Sequence, residues 1–227
     1  MIGVTENLAL IKDLLAKAAI EAEREPESVR LLAVSKRQPL DKVLEAAAAG
    51  QRDFGENQVQ EALPKIEQSA SLGLTWHFIG RLQSNKTLKV AEHFDWVHSI
   101  ERLKIAERLS EQRPADMPPL NVCLQVNIDD EQSKSGLSPV DVQELAVAVS
   151  KLPNLRLRGL MCLPAIRSEF DEQRKPFRVL RELAEYVSSD DIQLDTLSMG
   201  MSNDYAAAIA EGATIVRIGS AIFGQRK

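Results

Sequence analysis

The chain has 227 residues, 44% hydrophobic and 27% charged, with a formal net charge of −5 and an isoelectric point near 5.4. That length can bury a sizeable core as one α/β domain over residues 1–227, and the acidic balance excludes a general attraction to nucleic acid or an anionic membrane surface, so a bound anion needs a local site. Apolar runs such as Leu31 to Val34 and Leu120 to Val126 fall far short of the roughly 20 residues that span a bilayer, and no signal peptide opens the sequence, which predicts a chain retained in the cytoplasm with a small-molecule partner.

Asn7 to Arg24 places Leu8, Ile11, Leu14, Leu15 and Ala18 on one face of a helix, a flanking element over residues 1–25 that precedes the main fold. After Pro26, short apolar runs alternate with helical patterns. Strands are predicted at Leu31 to Ser35, Asp53 to Gly55, Trp76 to Ile79, Trp96 to Ser99, Leu120 to Asn127, Leu157 to Leu163, Asp195 to Met199 and Thr214 to Ile218. Helices are predicted between them at Leu40 to Ala49, Val59 to Gln68, Lys86 to His93, Arg102 to Arg113, Pro139 to Lys151, Phe170 to Val187 and Asn203 to Glu211. Eight strands, each alternating with a helix, predict a TIM-type (β/α)8 barrel. A doubly wound open sheet is the alternative, but no GxGxxG follows the first strand.

Cys123 and Cys162 lie in apolar runs without metal-ligand spacing and read as buried reduced thiols. His77, His93 and His98 form no HExxH arrangement, and no metal is assigned.

Barrel chemistry gathers at the C-terminal ends of strands. The first strand ends at Lys36, where partial desolvation and a nearby cation such as Arg217 would favour the neutral amine that attacks an aldehyde, the chemistry of a Schiff base. A lysine snorkelling into solvent is the competing reading. Ser202 or Asn203 can cap the helix after the seventh strand, and the eighth strand ends at Arg217, Gly219 and Ser220; loops after strands seven and eight are the recurrent phosphate site of this fold. A capping serine followed by a turn glycine would look the same. Asn57, just after the second strand, could hydrogen-bond a ring substituent. Arg81, Lys86 and Lys134 could form a basic rim, though each could equally be a solvated loop residue, the favoured reading for Lys86, and Glu56 could cap a helix or pair with a rim base.

The motifs AVSK ending at Lys36, FGENQVQE from Phe54, HFIGRLQSNK from His77, HSIE from His98, QVN from Gln125, KSG from Lys134, GLMCLPA from Gly159 and SMGMSNDY…RIGSAIFG from Ser198 span essentially the whole chain. Together they resemble the YggS/PROSC-like pyridoxal phosphate homeostasis proteins, relatives of the alanine racemase N-terminal barrel. The resemblance implies a fold-type III barrel with Lys36 holding the aldehyde of pyridoxal 5′-phosphate (PLP) as a Schiff base. It implies phosphate contacts from Ser202, Gly219 and Ser220, and Arg217 facing the pyridine nitrogen. The implied role is PLP (vitamin B6) homeostasis by a monomer that buffers the cofactor or delivers it to PLP-dependent apoenzymes without substrate turnover.

A fold-type III enzyme such as an amino-acid racemase is the alternative. It needs a second acid/base group opposite Lys36, and Tyr186 and Tyr205, the two tyrosines of the sequence, both fall within or beside predicted helices.

Overall fold

The structure is a computed structural model and describes residues 3–129 and 135–224. Eight parallel strands close into a barrel in chain order: β1 (Arg30–Val34), β2 (Asp53–Glu56), β3 (Thr75–Phe78), β4 (Trp96–Ile100), β5 (Leu120–Val126), β6 (Leu155–Cys162), β7 (Thr196–Ser198) and β8 (Ile215–Ile218). The seam is made by β8 on β1, with Arg30 opposite Ile215 and Leu32 opposite Arg217. All eight expected strands are present, with no end displaced by more than two residues.

Around the barrel lie α1 (Val4–Glu21), α2 (Leu40–Ala48), α3 (Val59–Gln68), α4 (Thr87–His93), α5 (Leu103–Gln112), α6 (Val142–Ser150), α7 (Phe170–Val187), α8 (Tyr205–Ala210) and α9 (Ser220–Phe223). α1 begins and ends three residues earlier than its apolar spacing suggested, and Glu23 just beyond it takes a left-handed φ of 56° that cannot continue a helix. The segment expected as one helix from Pro139 opens as a 3₁₀ turn, Pro139–Asp141, before α6.

The expected helix start at Ser202 or Asn203 needs correction. The Asp204 carboxylate accepts the Met201 N–H at 2.6 Å, and the Asp204 N–H returns to the Met201 carbonyl at 3.2 Å. This tight turn delays α8 to Tyr205, so neither Ser202 nor Asn203 caps it.

The alternation of strand side chains produces two different layers. Leu31, Ala33, Phe54, Trp76, Phe78 and Val97 pack outward against the helices in one continuous apolar core. Inside the barrel, Trp96, Cys123 and Met161 form a separate small cluster. The rest of the interior mixes apolar side chains, Leu32 and Ile215 among them, with the buried polar groups Ser198, His77, His98 and Arg217. His98 on β4 reaches Ser198 on β7 at 2.7 Å, a contact that these strands can make only across the barrel axis.

α1 straps the seam. Asn7 Nδ2 donates to the Ile222 carbonyl at 3.0 Å, and Arg24, just past α1, donates to the Ile209 carbonyl at 2.8 Å. Leu8, Ile11, Leu15 and Ala18 are buried beneath it, as their spacing predicted, while Leu14 is half-buried.

Candidate functional site at the barrel mouth

A cavity of about 620 Å³ opens at the C-terminal ends of the strands. Its lining includes Lys36, Asn57, Ser202, Arg217, Gly219 and Ser220 together, so residues far apart in sequence and expected to act at one site share one pocket.

Lys36 follows β1 and is half-buried. The backbone on both sides of it is fixed. The Ser35 N–H donates to the Gly55 carbonyl at 3.0 Å and the Gln38 N–H to the Ser35 carbonyl at 3.0 Å. Arg37 takes a left-handed φ of 59°, and its N–H donates to Glu61 Oε2 at 3.1 Å.

Behind this turn, Glu56 Oε1 accepts both Ser35 Oγ at 2.6 Å and Lys65 Nζ at 2.7 Å, while Lys65 also donates to the Ser35 carbonyl at 2.9 Å. Glu56 therefore neither caps a helix nor joins a rim: it pairs with a lysine of α3 that is itself buried. Burial pushes the Glu56 carboxyl above its ordinary range, against the pull of Lys65 and Ser35. Its Oε2 is buried without a hydrogen-bond partner.

Arg217, on β8 beside β1, is buried beneath the mouth. Its Nη1 donates to Ser198 Oγ at 2.9 Å and its Nη2 to the Cys162 carbonyl at 2.8 Å. Both acceptors are neutral, and no described carboxylate lies within ion-pair distance of the guanidinium. Burial lowers its pKa without threatening its charge, so the pocket contains a buried cation whose remaining donors need an acceptor. Asn57 contributes a buried Oδ1 with no partner.

Ser202, Asn203, Gly219 and Ser220 face one another across the β7 and β8 ends of the same cavity. The N–H groups of Ser202, Asn203 and Ser220 have no acceptor among the described residues. Two hydroxyls accompany them, a donor set suited to a small polyanion.

The rim differs from the basic ring suggested by sequence. Arg81 lines the cavity, but Glu101 lies 3.7 Å from its Nε. Lys86 sits in the turn Ser84–Lys86, outside the lining, in keeping with its favoured reading as a loop residue, and Lys134 lies outside the described residues. Arg167, which sequence reasoning missed, pairs with Asp129 at 2.5 Å, and Asp129 also accepts the Ala165 N–H at 2.5 Å. This clamp ties the loop after β5 to the loop after β6.

Sequence reasoning also missed His77 and His98, which are fully buried in the interior. The signal was present: in TWHF and WVHSI, the alternation sets each histidine on the face opposite Phe78 and Val97.

Residues 11–227 match the family described as alanine racemase, N-terminal domain. The whole chain is 58% identical to a Pseudomonas aeruginosa protein named pyridoxal phosphate homeostasis protein, covering 97% of it. The chain belongs to the pyridoxal phosphate homeostasis protein family. A member of this homeostasis family from Escherichia coli K12 is 53% identical over the full chain and 98% of its own length.

Among solved structures, PipY of Synechococcus elongatus with PLP bound has a TM-score of 0.86 and 39% identity, covering 97% of this chain and 100% of that one. Alanine racemase from Corynebacterium glutamicum, at 18% identity and TM-score 0.68, shares the barrel fold across 97% of this chain and 61% of its own. The homeostasis-family barrel is thus the shared architecture, and the racemase chain is longer.

Proposed function

We propose that this chain binds PLP at the barrel mouth, held covalently through Lys36, and serves intracellular PLP homeostasis by buffering the cofactor or delivering it to PLP-dependent apoenzymes without turning over a substrate. The observation that carries this reading is the convergence of Lys36, Arg217 and the Ser202, Gly219 and Ser220 donors in one cavity. Its volume lies within the range of small-molecule pockets. The fit extends to individual atoms. The hydroxyls and free N–H groups suit the phosphate, the buried Asn57 Oδ1 suits a ring hydroxyl donor, and the Arg217 guanidinium, with donors beyond those given to Ser198 and Cys162, suits a ring nitrogen that acts as acceptor.

When bound, PLP supplies a reactive aldehyde and an electron-poor ring. The chain's residues restrain that chemistry. Lys36 provides the amine, on a turn held by Glu56 and Lys65. Arg217, a donor-only group, favours an unprotonated ring nitrogen and so weakens the ring as an electron sink. No tyrosine is among the described residues that line the cavity, and Tyr186 is exposed on α7. We read residues 1–227 as one cofactor-binding unit, acting as a monomer in the cytoplasm.

The test is the absorption spectrum of purified protein with added PLP, followed by borohydride reduction and peptide mass spectrometry. A visible band and a reduced adduct on Lys36 support the assignment, and Lys36→Ala should lose both. An adduct on another lysine overturns it. Turnover of any member of a broad amino-acid panel would favour the racemase reading.

A further inference from the structure

The polar interior of the barrel is continuous. Starting from Arg217, Nη1 lies 2.9 Å from Ser198 Oγ, Ser198 Oγ lies 2.7 Å from His98 Nδ1, His98 Nε2 lies 2.9 Å from His77 Nδ1, and His77 Nε2 lies 3.0 Å from Asp53 Oδ1. Ser198, His77 and His98 are fully buried. Asp53 begins β2 at the opposite end of the barrel, 18% exposed, with Arg30 Nη1 at 3.5 Å.

The donors can be ordered in only one satisfying way. Arginine has no acceptor, so Ser198 Oγ must accept from Arg217. The serine hydrogen then goes to His98 Nδ1. A neutral His98 that accepts at Nδ1 carries its proton on Nε2 and donates to His77 Nδ1. His77 in turn carries its proton on Nε2 and donates to the Asp53 carboxylate. The reverse order with neutral rings would set an unprotonated His77 nitrogen against that carboxylate. Charging His77 would relieve that clash but leave the Ser198 hydroxyl hydrogen buried without an acceptor. Such a loss costs about 1–3 kcal/mol.

We propose that Ser198, His98, His77 and Asp53 are positioning residues for Arg217: a hydrogen-bond chain of fixed direction, anchored on the far face of the barrel, that presents the guanidinium to the ligand cavity. Each link fixes the tautomer of the next, so an aspartate remote from the mouth determines how Ser198 meets Arg217. The charged groups facing the two rings are Asp53, Asp95, Arg30 and Arg217. Burial keeps both rings neutral, with His98 held well below its ordinary pKa. The consequence for PLP affinity rests on the function proposed above; the proton order does not.

The first measurement is a long-range proton–nitrogen correlation spectrum of protein without PLP, labelled with ¹⁵N in histidine. His77 and His98 should both appear as neutral Nε2–H tautomers at pH 7.5. An Nδ1–H tautomer or an imidazolium at either ring overturns the chain, whatever the ligand of the site. The second measurement compares PLP dissociation constants. Ser198→Ala should weaken PLP binding about tenfold while its adduct still maps to Lys36, and Ser198→Thr, which keeps a hydroxyl, should restore affinity to within about twofold. Unchanged affinity in a folded Ser198→Ala, or no rescue by threonine, overturns the positioning role. Failure of wild-type protein to form the Lys36 adduct would instead sink the proposed function, leaving the tautomer result standing.

Discussion

Lys65 Nζ sits 2.7 Å from Glu56 Oε1 and 2.9 Å from the Ser35 carbonyl, so a buried ion pair supports the residue immediately before Lys36. Removing one member leaves the other uncompensated in a buried site, which typically costs about 3–5 kcal/mol. Lys65→Met should therefore lower the urea-unfolding free energy by about that amount. Glu56→Leu combined with Lys65→Met should recover most of the loss, because both charges leave together.

Arg217 has the opposite balance. Its charge is buried against two neutral acceptors, so the folded protein gains little from keeping it. Arg217→Met relieves a buried charge but takes a donor from Ser198 and the Cys162 carbonyl, so it should change the stability of the PLP-free protein by no more than about 3 kcal/mol and weaken PLP binding more than tenfold. Equilibrium unfolding and a binding titration on the same preparation separate the two effects.

The two interior histidines make stability depend on pH with a definite sign. Burial lowers both pKa values from the ordinary 6.5. Above pH 6.5 the folded and unfolded chains both hold these rings neutral. As pH falls below 6.5 the unfolded chain binds protons that the folded rings resist, so stability falls towards the depressed folded values. The slope can reach about 1.4 kcal/mol per pH unit for each ring. Urea midpoints between pH 7.5 and 5.5 should fall for wild type, and more shallowly for a folded variant lacking one of the rings.

Two glycines should separate fold from site. A Cβ on Gly159 would lie 1.7 Å from the Thr196 carbonyl oxygen, where β6 pairs with β7. Gly159→Ala should cost about 3 kcal/mol or more, read by denaturant unfolding. A Cβ on Gly219 would lie 3.0 Å from the Val34 carbonyl, a milder conflict. Gly219→Ala should cost about 1 kcal/mol and weaken PLP binding several-fold by displacing the neighbouring donors.

The barrel was legible because each strand carries its own local signature, a short apolar run followed by a helical period. Lys36, Arg217, Gly219 and Ser220 were legible because the fold rule places function at strand ends, and these residues stand there. The interior chain was not. His98 and Ser198 are separated by 100 residues and become neighbours only when the sheet closes, so no window of sequence contains their contact. Lys65 lay closer to view: Val59, Ala62 and Lys65 share the buried stripe of α3, and a lysine on such a stripe requires a carboxylate partner. The late start of α8 was hidden because Asp204 closes a turn on Met201, a competition between side chain and helix that spacing does not reveal.

The strap formed by α1 gives the molecule an order of assembly. Asn7 meets the Ile222 carbonyl across 215 residues, and Arg24 meets the Ile209 carbonyl across 185. During synthesis the helix emerges well before the carbonyls it docks on. α1 can meet the neighbouring α2 early, but the part of its face that packs on α8 and α9 waits while the strands between are made, and the entropy of closing so long a loop is met only when β8 joins β1. The completion of the cavity is thus a late folding event: the Arg217, Gly219 and Ser220 side of the mouth takes its place with the same strand that closes the seam.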